Sequence, residues 1–137
     1  MKELLERLIS EMEDLFPDLR NRDIHLIPNP DLLPSGARFP CIGIKDGETK
    51  VSELPGETEE LTLPVEIYIY DQLKPGNKYI LAFLDRGQKI RARLRNNTLD
   101  GYVQGVSPQK ETPLTLMEKT PGQVLRKGLF FQYEREA

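Results

Sequence analysis

The stretch Leu61-Thr62-Leu63-Pro64-Val65-Glu66-Ile67-Tyr68-Ile69-Tyr70 decides the fold. Leu61, Leu63, Val65, Ile67 and Ile69 recur with period two, so on an extended backbone they form one aliphatic face that has to be buried. Thr62, Glu66, Tyr68 and Tyr70 line the opposite face, which is neither a plain core nor a plain solvated surface. Two questions follow: what covers the aliphatic face, and what the tyrosine face meets.

The flanking sequence answers the first. Residues 2–16 carry Leu4, Leu5, Leu8, Ile9, Met12, Leu15 and Phe16 at helical spacing, with Glu3, Glu6, Glu13 and Asp14 opposite, and Pro17 ends the run. A second helix is predicted over about residues 79–95, after a turn at Pro75-Gly76. Its stripe is Ile80, Phe83, Leu84, Ile90 and Leu94, with Gly87 on the same side. A mid-helix glycine costs about 1 kcal/mol relative to alanine, so its place on the stripe implies close approach of helix and sheet. Asn96-Asn97 supplies a left-handed stop.

Strands are predicted at residues 24–27, 39–44, 61–70, 99–106, briefly at 114–116, and at 123–135, where Leu125, Leu129, Phe131 and Tyr133 share a face. Pro64 cannot donate to a ladder and marks an edge or a bulge. The segment 31–37 reads as a loop whose Leu32 and Leu33 tuck against the body, and Pro108 to Pro113 as another loop. Residues 45–60 are rich in Gly, Pro and acids, with only Val51 and Leu54 as apolar anchors. They form either a long flexible loop or an extended hairpin with a mobile tip. The order α-β-β-β-α-β-β-β describes a single α+β domain over residues 1–137, a largely antiparallel sheet with two amphipathic helices packed on one face.

Composition bounds the function. The 137 residues, 38% hydrophobic and 30% charged, suit one soluble domain with its own core. The apolar runs are too short to span a bilayer, and acids interrupt the leucines of the N-terminus, so a cytoplasmic product without membrane attachment is expected. A net charge of −3 argues against a protein that coats nucleic acid. One histidine, His25, and one cysteine, Cys41, exclude paired-histidine and multi-cysteine metal sites. Cys41 lies in a strand-like run and reads as a buried, inert thiol. No nucleophile elbow and no phosphate-binding glycine loop occurs, and the acids of 46–60 lack the ligand spacing of a calcium loop. No enzyme activity, cofactor or metal is expected.

Charge is nevertheless segregated. Asp46, Glu48, Glu53, Glu57, Glu59 and Glu60 cluster in one segment, and Arg86, Lys89, Arg91, Arg93 and Arg95 in another. Arg86, Lys89 and Arg93 share one flank of the second helix, and Arg91 and Arg95 the other. Such a face is either solvated, with snorkelling arginines, or meets a protein or a phosphate backbone.

The succession of the amphipathic opening helix, Phe39-Pro40-Cys41-Ile42-Gly43-Ile44, an acidic loop and Glu60-Leu61-Thr62-Leu63-Pro64-Val65-Glu66-Ile67-Tyr68-Ile69-Tyr70 is familiar. With a second helix, Leu99-Asp100-Gly101-Tyr102-Val103 and the closing Gly128-Leu129-Phe130-Phe131-Gln132-Tyr133, it resembles the minor tail proteins of tailed bacteriophages. More narrowly, it resembles the tail terminator (tail completion) family of lambda-like and related phages. The resemblance implies a structural α+β subunit, made in the cytoplasm of a bacterial host from a phage or prophage genome. It implies a homohexameric ring on the virion tail that caps the tail tube protein, stops its polymerisation and meets the head–tail connector protein. A neck or head–tail connector protein is the alternative in the same class. A nucleic-acid-binding accessory protein using the helix 86–95 is the alternative in another, although no specific nucleic acid is expected as a partner.

In such a ring the tyrosine face is expected to supply subunit contacts through Tyr68, Tyr70 and Phe130. The acidic Glu57, Glu59 and Glu60 are expected to face the basic Arg86, Lys89 and Arg93 across a heterologous interface, or to meet the tube or connector.

Overall fold

The structure, a computed structural model, describes residues 1–19, 22–117 and 123–136. Two α-helices, α1 (Lys2–Leu15) and α2 (Asn77–Leu94), accompany seven strands among the described residues. The strands are β1 (Ile24–Leu26), β2 (Cys41–Asp46), β3 (Lys50–Leu54), β4 (Thr58–Gln72), β5 (Gly105–Glu111), β6 (Thr115–Leu116) and β7 (Val124–Glu136). They form one sheet in the order β1-β2-β4-β7-β5, with β3 added to β4 and β6 to β7. Only β1 and β2 pair in parallel; the other ladders are antiparallel. The chain is the α+β arrangement that the sequence predicts.

The decisive stretch lies within β4, a strand of 15 residues. From Glu60 to Gln72 it is laddered without interruption to β7. On its other side β2 covers Val65 to Tyr70 and β3 covers Thr58 to Thr62, so the ladder breaks between them. Pro64 stands at that break, where no neighbour needs its missing N–H, and its carbonyl accepts from the Gly47 N–H at 2.8 Å. The hairpin alternative for residues 45–60 is therefore the one realised. Its three-residue connection Pro55-Gly56-Glu57 uses left-handed backbone at Gly56 (φ 89°) and Glu57 (φ 64°).

The aliphatic face is covered as the helical stripes require. Leu63, Val65, Ile67 and Ile69 pack with Leu4, Leu8 and Met12 of α1, Phe83, Ile90 and Leu94 of α2, and Leu129, Phe131 and Tyr133 of β7. Gly87 is the point of closest approach: a Cβ there would lie 3.4 Å from Ile69 Cδ1. The helices run antiparallel and are tied by charge, Arg93 to Glu11 (3.2 Å) and Asp14 (2.9 Å), and Arg86 to Asp18 (3.6 Å). The Arg86 guanidinium also lies 4.5 Å from the centre of the Phe16 ring. Asn96, at φ 57°, ends α2 in left-handed backbone as expected.

One predicted strand is misplaced. Residues 99–104 turn instead of extending, with Leu99 (φ 53°), Asp100 (φ 59°) and Gly101 (φ 81°) all left-handed. Leu99 and Val103 are apolar because they plug the core, not because they alternate on a strand. Tyr102 is clamped between the Arg7 and Arg135 guanidinium groups, 4.8 and 3.9 Å from its ring centre. The true strand, β5, starts at Gly105 and runs through the segment read as the Pro108 to Pro113 loop. Pro108 is tolerated because β5 is an edge strand and shifts register between Pro108 and Lys110.

Because Ile67 is fully buried at the centre of both layers, Ile67→Ala is expected to destabilise the subunit by about 2–5 kcal/mol. Val51, 56% exposed on the hairpin, should tolerate Val51→Ser within about 0.5 kcal/mol. Urea unfolding of the two variants checks the contrast.

Candidate interaction surfaces

The second face of the sheet is divided. Around Tyr68 and Tyr70 the chain covers itself: Ile27, Cys41, Met117 and Val124 form a second small core with both tyrosines, flanked by Leu33, Phe39 and Phe130. Tyr70 donates its hydroxyl proton to the Pro30 carbonyl at 2.7 Å, and Tyr68 donates to Glu66. Arg126 pairs with Asp31, which fixes the covering loop from the β7 side. The Tyr68 ring lies over Gly128, where a Cβ would come within 2.8 Å of it. Tyr68 and Tyr70, expected at a subunit interface, are instead 6% and 1% exposed within the subunit itself. The reason is the loop 28–40: Leu33 tucks against the body as expected, here onto the tyrosines, whereas Leu32 stays exposed. Phe130 is half-buried against Tyr68 in an edge-on contact, and Lys110 lies 5.0 Å over its ring.

Burial sets the protonation of this small core. It pushes the Cys41 thiol up to about 12, and it raises the Tyr68, Tyr70 and Tyr133 hydroxyls above their usual range, with the bond to Glu66 adding to the effect at Tyr68. Cys41 is thus the inert thiol that its strand context suggests. His25 borders a shallow cavity of about 350 Å³ beside the Asp23–Arg38 pair (3.0 Å), and its Nε2 is buried with no hydrogen-bond partner among the described residues. Among the described residues no three His, Cys, Asp or Glu side chains are grouped to hold a metal. No helix among them is long and apolar enough to cross a membrane.

The basic helix is largely neutralised within the subunit. Arg93 is held by α1 and Arg86 by Asp18 just beyond it, Lys89 pairs with Asp85 one turn away at 3.0 Å, and Arg91 pairs with Glu111 of β5. Of the three residues expected to face a neighbour's acids, Arg86 and Arg93 are committed to packing the helices together, and only Lys89 stands well out in solvent. Arg95 makes no ion pair among the described residues. Beside it opens a groove of about 330 Å³ between the end of α2 and β5, bordered by Arg91, Arg95, Gln109 and Lys110 and floored by Leu129 and Phe131. Lys110 escaped the sequence reading because its segment was taken for a loop.

The acids lie at the other side edge of the sheet. Glu53, Glu57 and Glu59 are exposed on the hairpin and Glu60 is half-buried. Glu53 and Glu59 are direct cross-strand partners, a like-charge pairing that costs stability. The chain matches no family model and no curated protein at a significant level.

Two outcomes follow from the second core. Tyr70→Ala should destabilise the subunit by about 3–5 kcal/mol, and Tyr70→Phe by about 1 kcal/mol through the bond to Pro30, both read from thermal unfolding. Groups with raised folded values lose protons first in the unfolded chain. Stability should therefore hold up to the ordinary thiol and phenol values of 9.0 and 10.0 and fall as pH rises beyond them, which urea midpoints across alkaline pH would measure.

Proposed function

We propose that this protein is a structural assembly subunit of a phage or prophage tail, acting as the tail terminator: a ring that caps the tail tube and joins it to the head connector. The order of elements supports this reading. An amphipathic helix, an acidic hairpin, a long central strand, a second helix and a closing strand follow one another as the resemblance implies, and they pack as an α+β layer, while the strand it places at Leu99–Val103 is a turn followed by β5. The observation that carries it is the difference between the two side edges of the sheet, one an acidic hairpin and the other a basic groove. A subunit with unlike edges associates head to tail, and head-to-tail contacts close into rings when the rotation permits. Internal pairing of four of the five cations on residues 86–95 supports a protein partner over a nucleic-acid backbone for this helix.

The test combines the protein with the tail tube protein encoded by the same genome. Native mass spectrometry should give a ring, six subunits on this reading, and electron microscopy should show tubes that stop growing once capped. Tubes that elongate unaffected, or a protein that binds duplex DNA with a steep salt dependence and no tube, would overturn it.

A further inference from the structure

The acidic hairpin and the basic groove belong to one sheet but cannot meet in one subunit. The hairpin is fixed to β4 through the pairs Lys50↔Thr62 to Leu54↔Thr58, whereas β5 is fixed to the far side of β7. With β4 and β7 between them, the two surfaces sit at opposite side edges. Their charges are opposite. Residues 50–60 hold four glutamates and one lysine, while Arg91 and Arg95 border a groove whose only acid, Glu111, already pairs with Arg91; Lys110, the cross-strand partner of Phe130, extends over that ring on the tyrosine face and takes no part.

We propose that the β3–β4 hairpin of one copy docks against the α2–β5 groove of the next copy. Sidedness supports this occupant. Glu59 has the parity of Leu61 and Leu63 on β4, so Glu59 and its partner Glu53 stand on the helix-bearing side of the sheet, where α2 carries Arg91 and Arg95. Two sheets placed edge to edge therefore bring like sides together and these acids to these bases. Docking relieves the Glu53–Glu59 repulsion, gives Arg95 a counter-charge, and covers Val51, which is 56% exposed on the hairpin. Pro108 and the register shift after it interrupt the outer edge of β5, so the contact is made by side chains in the groove and not by a continuous ladder. Exposed charge pairs set register and encounter rate more than affinity, so assembly weakens as salt rises.

The contact rests on the ring reading only for its closure. The test uses the whole chain in three forms: wild type, Glu53→Lys/Glu57→Lys/Glu59→Lys, and Arg91→Glu/Arg95→Glu. All substituted side chains are exposed, and thermal unfolding verifies that each form folds. Analytical ultracentrifugation at low salt should show wild type assembled and each variant alone monomeric. An equimolar mixture should recover the assembly with the two variants in equal amounts, because every hairpin then finds a groove of opposite charge. A monomeric wild type, either variant assembling as wild type does, or a mixture that stays monomeric overturns the contact. So does a monomeric wild type that binds duplex DNA and loses that binding with Arg91→Glu/Arg95→Glu. If the mixture assembles but caps no tube, the contact stands and the tail reading falls. If rings cap tubes while the variants assemble unchanged, the reverse holds.

Discussion

Everything in this fold hangs on the long antiparallel ladder between β4 and β7. From Glu60 to Gln72 every residue of β4 has a partner on β7, and both faces of that ribbon are used. One face carries the aliphatic row that binds the two helices. The other carries Tyr68 and Tyr70, which bind the chain's own loops. A ribbon committed on both faces leaves its sides as the places for a large partner, and those sides are β2 with β3 on one hand and β5 on the other.

That constraint explains how charge is used. Cations on one flank of α2 face α1 and the residues that follow it, and join the helix layer to itself, Arg86 through Phe16 and Asp18, Arg93 through Glu11 and Asp14. Hydrogen bonds to Asp14 and Glu11 hold Arg93 more firmly protonated than usual, in keeping with a structural role. Cations on the other flank, Arg91 and Arg95, face the edge strand β5 instead. The flank of one helix thus separates Arg86 and Arg93, which bind the subunit's own helix layer, from Arg91 and Arg95, which border the groove.

The legible part of the fold was the periodic part. Period two in residues 61–69 and helical spacing in residues 2–16 and 80–94 identified the core, and Gly87 marked its tightest approach. Pro64 was read as an edge or a bulge, and it proved to lie at the gap between two neighbouring strands. What the sequence hid was any segment whose apolar residues serve a loop. Leu99 and Val103 looked like strand residues because plugging a core and alternating on a strand need the same side chains. Tyr68 and Tyr70 looked like interface residues because nothing local announces that Ile27, Leu33 and Phe39 fold back over them. The acidic and basic clusters were both visible by composition, but the groove was not: only tertiary structure sets the flank of α2 that carries Arg91 and Arg95 beside β5.

The central claim is that unlike side edges join neighbouring copies. Electron cryomicroscopy of the assembled protein tests it most directly. The account predicts each β3–β4 hairpin against the α2–β5 groove of the adjacent subunit, with Glu53 and Glu59 beside Arg91 and Arg95, and with Tyr68 and Tyr70 still covered by their own loop 28–40. An assembly whose subunits meet through the tyrosine face, with that loop displaced and the hairpins free in solvent, would contradict it.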